Sequence, residues 1–293
     1  MPEMLNFKKQ FGQNFIQSSE VIDDIIQTLG ANEETFVLEI GPGAGALTIP
    51  LSEKVGHLAA IEIDSRLVKM LRQTFQDNEK VRIVFDDVLD ADFKEILEHE
   101  KAEDYKHLKI VGNIPYNITS PIITKVLECG LGFENFTVMI QKEVAERICA
   151  EPGTRKRGLM SVFVQYYTEP TYIRTVGREL FLPTPGVDSA VVNLVFRDKP
   201  PVDCDKDLFF DVVKQSFAHK RKTLANNLIG YLGADKAAVS KALESIGIDS
   251  KRRAETLSLE EFAKITELKA QGGASVKPAS IHEEIVNEEL SRW

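Results

Sequence analysis

The sequence predicts an α/β fold on a mainly parallel sheet, followed by a smaller all-helical region, and three observations carry that expectation. Short apolar runs alternate with helically spaced segments from Phe36 to Gln141. Each run ends on polar residues or on Gly, Asn or Asp, which is how strands give way to turns. The first run passes straight into a glycine-rich loop, where ligands bind in sheets of this kind. Such alternation places helices on both faces of the sheet.

An amphipathic helix comes first, marked by Val21, Ile22, Ile25, Ile26 and Leu29. Ser18 or Ser19 can cap its start and Gly30 can end it. The strand candidates that follow are Phe36–Ile40, Leu58–Ile63, Val81–Phe85, Leu108–Gly112 and Phe136–Ile140. Between them, Leu67, Met70, Leu71 and Phe75 show helical spacing. After Gln141 come a helix through Ala150, another around Met160–Tyr167, and strands Thr171–Val176 and Ala190–Phe196, able to pair at the sheet edge. Pro200-Pro201 breaks the pattern. Beyond it the sequence reads as helices only: Leu208–Phe217, Thr223–Leu232, Lys236–Ile246 and Leu259–Lys269. A domain boundary is therefore expected near residue 200, with residues 1–200 forming the sheet domain and 201–270 a helical one. Residues 271–293 contain Gly272-Gly273, Pro278 and mixed charge, and read as a flexible tail.

Bulk properties exclude several classes. With 43% hydrophobic and 28% charged residues, the chain can bury a core of normal size. No apolar run approaches the roughly 20 residues that span a bilayer. Met1–Gln10 is polar, carries Lys8 and Lys9 and has no apolar stretch, so neither a secretion signal nor membrane association is expected. Cys129, Cys149 and Cys204 form no C-x-x-C pair and read as reduced thiols of a cytoplasmic protein. His57, His99, His107, His219 and His282 lack ligand spacing, so no metal site is expected. The net charge of −9 argues mildly against nucleic acid. Its distribution argues the other way. Positive residues gather as Lys8-Lys9, Arg155-Lys156-Arg157, Lys220-Arg221-Lys222 and Lys251-Arg252-Arg253. Any one cluster can be a solvated face, but together they hint at phosphate contacts.

The run Phe36–Ile40 opens into Gly41-Pro42-Gly43-Ala44-Gly45-Ala46. Glycines let the chain turn sharply and let a ligand approach the main chain. Glu62 ends the next strand and can accept hydrogen bonds from vicinal ribose hydroxyls. Gly41, Gly43 and Ala46 also satisfy the loose dinucleotide fingerprint, so these features alone do not choose a cofactor. Two details favour S-adenosylmethionine. Glu39 precedes the loop, where a charge is awkward beside a pyrophosphate but suits an ammonium and a sulfonium. Asp87 adds a third carboxylate at the same sheet edge and can accept from an adenine amino group.

The fourth strand ends in Asn113-Ile114-Pro115-Tyr116, the most specific signal in the chain. The lone pair of an exocyclic adenine amine is delocalised into the ring. Two acceptors aimed at its hydrogens would orient the nitrogen and favour a more tetrahedral form. The Asn113 side-chain oxygen and the Ile114 carbonyl can supply them. Pro115 fixes its own φ and holds Ile114 extended, and Tyr116 offers a ring face to the base. The bland reading is a proline turn beside a buried tyrosine. The glycine loop, Glu62 and Asp87 at matching strand ends weigh against it.

With these motifs in place the sequence resembles the ribosomal RNA adenine N6,N6-dimethyltransferases, from about Lys9 to about Ala270. The matching stretches are Phe11–Phe15, Glu39–Gly43, Asn113–Tyr116, Gln141–Val144, Phe181–Pro185, Val187–Val191 and Arg221–Leu224. The resemblance implies a Rossmann-like class I methyltransferase sheet with a small helical C-terminal domain. It implies dimethylation of two adjacent adenosines near the 3′ end of 16S rRNA, in the assembling 30S subunit, by an enzyme expected to be monomeric. Carried over by position, Asn14, Ile16, Gly41, Glu62, Asp87 and Asn113 would bind S-adenosylmethionine. Asn113 to Tyr116 would hold the target amine, and Phe181 would lie against the target base unless it is a core residue. Ile16 stands where the family usually has Leu, a contact expected to use the backbone. Lys220, Arg221 and Lys222 would contact RNA. The alternatives are a 23S rRNA adenine methyltransferase of the macrolide-resistance type and a non-catalytic RNA- or DNA-binding factor on the same fold. A nicotinamide dehydrogenase would need a histidine or a tyrosine–lysine pair near the loop, and none stands out.

Overall fold

The computed structural model describes residues 14–272 and Ile285. Phe11, Gly12 and Gln13 of the first motif lie outside the described residues, as does the expected tail apart from Gln271, Gly272 and Ile285. The described chain divides into two compact units. Residues up to 145 with 170–196 form the first, and 146–169 with those from 197 onward form the second. The sequence placed one cut near residue 200 and did not show that 146–169 groups with the later helices.

In the first unit the elements are β1 (Phe15–Ile16), α1 (Ser19–Leu29), β2 (Thr35–Ile40), α2 (Thr48–Ser52), β3 (His57–Glu62), α3 (Ser65–Thr74) and β4 (Val81–Phe85). Then come α4 (Phe93–His99), β5 (His107–Asn113), α5 (Thr119–Glu128) and β6 (Asn135–Gln141). α6 (Lys142–Ile148), which spans the division, and α7 (Leu159–Tyr167), which belongs to the second unit, precede β7 (Thr168–Val176), β8 (Phe181–Leu182) and β9 (Ser189–Phe196). Seven strands form one sheet in the order β4-β3-β2-β5-β6-β9-β7. The pairs β2–β3, β3–β4, β2–β5 and β5–β6 are parallel, and β6–β9 is antiparallel. Every residue of β2 is buried, as continuous apolar runs in a doubly covered sheet should be. The two late strands are neighbours as expected, but β9 lies inside the sheet and β7 takes the edge. α1 starts at the Ser18 cap, whose hydroxyl accepts from the Val21 N–H, and ends at Gly30 with φ 61°. These are the expected signals for entry and exit. The two-residue pair of β1 with β8 was not foreseen; it sets Phe15 opposite Leu182 and Ile16 opposite Phe181.

The second unit holds α8 (Lys206–Phe217), α9 (Leu224–Asn227), α10 (Lys236–Ser245) and α11 (Leu259–Gln271) together with α7. α8 packs on α7, α9 and α11. Phe163, Tyr166 and Tyr167 of α7 meet Phe209 and Phe210 of α8, which is why 146–169 belongs here. The stretch expected as one helix from Thr223 to Leu232 stops at Asn227, and Gly230 then takes φ 78°. Among the described residues no helix is long and apolar enough to cross a membrane.

Candidate active site

The strand order reverses at β2, which has β3 on one side and β5 on the other. A crevice opens at the carboxyl ends of the strands where such a reversal occurs. Here the loops after β2, β3, β4 and β5 surround a cavity of about 250 Å³. It gathers Asn14, Ile16, Gly41, Glu62, Asp87 and Asn113 with Ile114, Pro115 and Tyr116. All of these were singled out in the sequence.

The glycine loop leaves β2 with φ 69° at Gly41 and 59° at Gly43, the left-handed region that favours glycine. A side chain on Gly43 would also press on the Phe15 ring, 3.0 Å from its nearest carbon. The Gly41 N–H donates to the Ile61 carbonyl at 3.0 Å and ties the loop to β3. Glu62, 5% exposed, completes the tie: its Oε2 accepts from the Gly43 N–H at 3.1 Å and its Oε1 from the Asp64 N–H at 2.9 Å. Burial raises the Glu62 pKa from its ordinary value, and those two donors act against the rise.

Glu39 lies deeper. It is 1% exposed, and its Oε2 has no hydrogen-bond partner. Burial pushes its pKa up to about 8. A buried carboxyl oxygen without a donor is costly, and Glu39 is among the residues that line the cavity. On the third strand end, Asp87 folds its own loop: Oδ1 accepts from the Leu89 N–H at 2.9 Å, and the Asp87 N–H donates to Asp86 Oδ1 at 2.8 Å.

The wall after β5 carries neutral groups. Asn113 Nδ2 donates to the Asn14 carbonyl at 2.9 Å, which commits the donor end of the amide and leaves Oδ1 as the acceptor end. Pro115 takes φ −61° and ψ 138°, and Ile114 is 1% exposed. The Tyr116 hydroxyl bonds Ser189 Oγ at 2.5 Å, which pins the ring to β9. Burial raises the Tyr116 pKa, so the phenol stays neutral.

Phe181 is the exception among the expected catalytic residues. It does not line the cavity. It is 3% exposed and sits in a core cluster with Ile16, Val21 and Val176, because its pairing opposite Ile16 turns the ring inward. That burial fits the core alternative which the sequence left open beside contact with a target base. Lys220, Arg221 and Lys222 belong to the second unit, where all three are exposed in the turn between α8 and α9. The sequence reading missed Phe15, Ile63, Val88 and Asn117, which also line the cavity. Ile63 closes the expected strand Leu58–Ile63, but that it is 41% exposed beside Glu62 is seen only in the structure.

The lining fits a cationic nucleoside. Three carboxyls stand at successive strand ends, one of them with an unpartnered buried oxygen, and Ile63 and Val88 offer apolar surface to a purine. Among the described residues no group of His, Cys, Asp and Glu is arranged to hold a metal ion. A family model described as Ribosomal RNA adenine dimethylase matches residues 4–271. The Ribosomal RNA small subunit methyltransferase A of Geobacillus thermodenitrificans is 44% identical over 265 residues, covering 89% of this chain and 90% of its own. That of Streptococcus pneumoniae is 44% identical over 271 residues, covering 91% and 93%. Among solved structures, a dimethyladenosine transferase from Plasmodium falciparum superposes with a TM-score of 0.76 at 24% identity, covering 88% of this chain and 98% of its own, which shows the fold. The 23S rRNA methyltransferase ErmE gives 0.68 at 26% identity, covering 88% and 100%. With its family model spanning nearly every residue and relatives this close, the chain belongs to the ribosomal RNA adenine dimethylase family.

Proposed function

We propose that this S-adenosylmethionine-dependent rRNA adenine dimethyltransferase acts on 16S rRNA in the assembling 30S subunit, as a cytoplasmic monomer. Its targets are the N6 amino groups of two adjacent adenosines near the 3′ end. The observation that carries the reading is the Asn113 amide, held by the Asn14 carbonyl with its oxygen as the acceptor of the β5 wall. Relatives at 44% identity named for the small subunit support it over the 23S alternative, since ErmE stands at 26%.

The bound cofactor supplies an electrophilic methyl group on sulfur. Glu62 would receive the ribose hydroxyls with the lone pairs that Gly43 and Asp64 leave open. Asp87 would accept from the adenine amino group, and Ile63 and Val88 would offer apolar surface to the ring. Glu39 would meet the cationic methionine end. Asn113 Oδ1 and the Ile114 carbonyl would accept hydrogen bonds from the N–H groups of the target amine, two before the first transfer and one before the second, and Tyr116, fixed by Ser189, would lie along the base. The target adenosine must leave its stack to enter. No strong general base is required, because transfer yields an ammonium that loses its proton readily. Catalysis is then mostly positioning and placement of acceptors around developing charge. Lys220, Arg221 and Lys222 of the helical unit contact the phosphate backbone.

Incubation with methyl-labelled cofactor and unmethylated 30S or 50S particles tests the reading. Label on two adjacent adenosines of 16S rRNA is expected. Label in 23S rRNA would move the substrate to the large subunit, and no label on either would point to a non-catalytic binding factor.

A further inference from the structure

Lys125 stands outside the cavity, on α5, yet it bonds the loop that carries Asp87. Its Nζ donates to the Leu89 carbonyl at 2.8 Å and to the Ala91 carbonyl at 2.6 Å. The same ammonium lies 4.9 Å from the centre of the Phe93 ring. No carboxylate among the described residues forms an ion pair with it, so its charge is spent on two backbone carbonyls and a ring face.

The bonding pattern runs through one residue. The Leu89 N–H donates to Asp87 Oδ1 at 2.9 Å, and the Leu89 carbonyl accepts from Lys125 at 2.8 Å. The Asp90 and Ala91 N–H groups donate back to the Asp87 carbonyl at 3.0 and 2.8 Å. The donors on Leu89, Asp90 and Ala91 are thus satisfied by Asp87, while the Leu89 and Ala91 carbonyls are bonded by Lys125. A charged donor to a backbone carbonyl is stronger than a neutral one and resists swinging of the peptide. Only one carboxylate oxygen of Asp87 is used in holding the loop, so the direction of the other follows from where Leu89 sits.

We propose that Lys125 is a positioning residue for purine recognition: by gripping Leu89 and Ala91 it aims the Asp87 carboxylate, and so sets the preference for adenine over a 6-oxopurine. This rests on the reading that Asp87 accepts from the adenine amino group. A 6-oxopurine presents an oxygen at that place, which a fixed carboxylate repels and a loosened one tolerates.

The test is calorimetric affinity of the full-length protein for S-adenosylhomocysteine and for S-inosylhomocysteine. In Lys125→Met the adenine ligand is expected to weaken by about tenfold, the worth of one charge-assisted hydrogen bond. The hypoxanthine ligand is expected to change little, so selectivity collapses toward that of Asp87→Ala. Adding Lys125→Met to Asp87→Ala should cost nothing further in selectivity. Equal weakening of both ligands by Lys125→Met would make the lysine merely structural and overturn the proposal. Loss of selectivity in Asp87→Ala with full selectivity in Lys125→Met would also overturn it, while leaving the Asp87 reading intact. Unchanged selectivity in Asp87→Ala would remove the Asp87 reading and the proposal together. Should Lys125→Met fail to fold, Lys125→Gln, which keeps a donor for one carbonyl, is read by the same measure.

Discussion

Strands β2 to β4 bring Glu39, Glu62 and Asp87 to the cavity, whereas β5 brings Asn113 and a tyrosine whose pKa burial raises further. Both walls belong to one parallel sheet and to equivalent strand ends, so the contrast is one of residue chemistry and not of architecture. The acid wall suits a ligand that carries positive charge. The neutral wall suits an amine that must keep its lone pair free. A carboxylate in place of Asn113 would accept hydrogens too, but it would sit beside Glu39 and Glu62 and add to the cost of their burial. On the proposed function, the difference divides binding from chemistry across the reversal of strand order, and four measurements can break or sharpen that division.

The largest effect is expected from Asn113→Ala. Turnover should fall at least about a hundredfold, the scale of losing one aimed group in a transition state. RNA affinity should hold, since it comes from many phosphate contacts. Cofactor affinity should weaken only modestly. Single-turnover methylation with saturating cofactor reads this, and a loss under about tenfold would break the division.

Glu62→Ala should do the reverse. It removes two acceptor oxygens from the ribose and frees the Gly43 N–H, and should weaken cofactor binding by roughly 2 kcal/mol or more. Calorimetric titration of a folded variant measures it. Unchanged affinity would take Glu62 out of the site.

Glu39 offers a pH-dependent version of the same contrast. Its folded pKa of about 8 lies above the unfolded value, so the folded, empty protein holds a proton that the unfolded chain has already released. That group therefore costs stability as pH rises from the ordinary carboxyl range toward 8. A cation at the cavity favours the ionised form, so the bound proton must leave when the cofactor binds below pH 8. Affinity should rise toward that pH by up to about tenfold per unit. Titration at neutral pH in buffers of different ionisation heat should show proton release by the wild type that is absent from Glu39→Gln. Equal release by both would sharpen the site against Glu39.

The smallest effect on the cavity is expected from replacing Lys220, Arg221 and Lys222 with Ala. Cofactor affinity should not change. Binding to the ribosomal subunit should weaken, with its log–log salt slope reduced by about 0.9 for each phosphate that the variant no longer neutralises. Parallel salt curves would return the cluster to ordinary solvated charge.

Much of this was legible in the sequence because local rules and global fold agree here. The Ser18 cap, the Gly30 exit, the apolar runs of β2 to β6 and the positive-φ loop glycines are all set by nearest neighbours in the chain. The strand-end residues Glu62, Asp87 and Asn113 could be placed together because a parallel sheet puts equivalent ends on one edge. Gly112 is different. Nothing local demands a glycine there, yet a side chain would lie 2.8 Å from the Ile40 carbonyl of the neighbouring strand.

By itself the sequence determined the alternation that builds the sheet, the chemistry of each strand end and the turn that presents Asn113. Tertiary structure alone decided the matters that depend on residues distant in the chain. It turned Phe181 into the core by pairing it with Ile16, some 165 residues earlier. It sent 146–169 to the helical unit, because α7 is buried on nearly every side and no periodic pattern marks which neighbour it will meet. It joined Asn113 to Asn14 and Tyr116 to Ser189, pairings that leave no periodic trace. A hydrogen bond between such distant residues exists only once packing has brought its two ends to within about 3 Å.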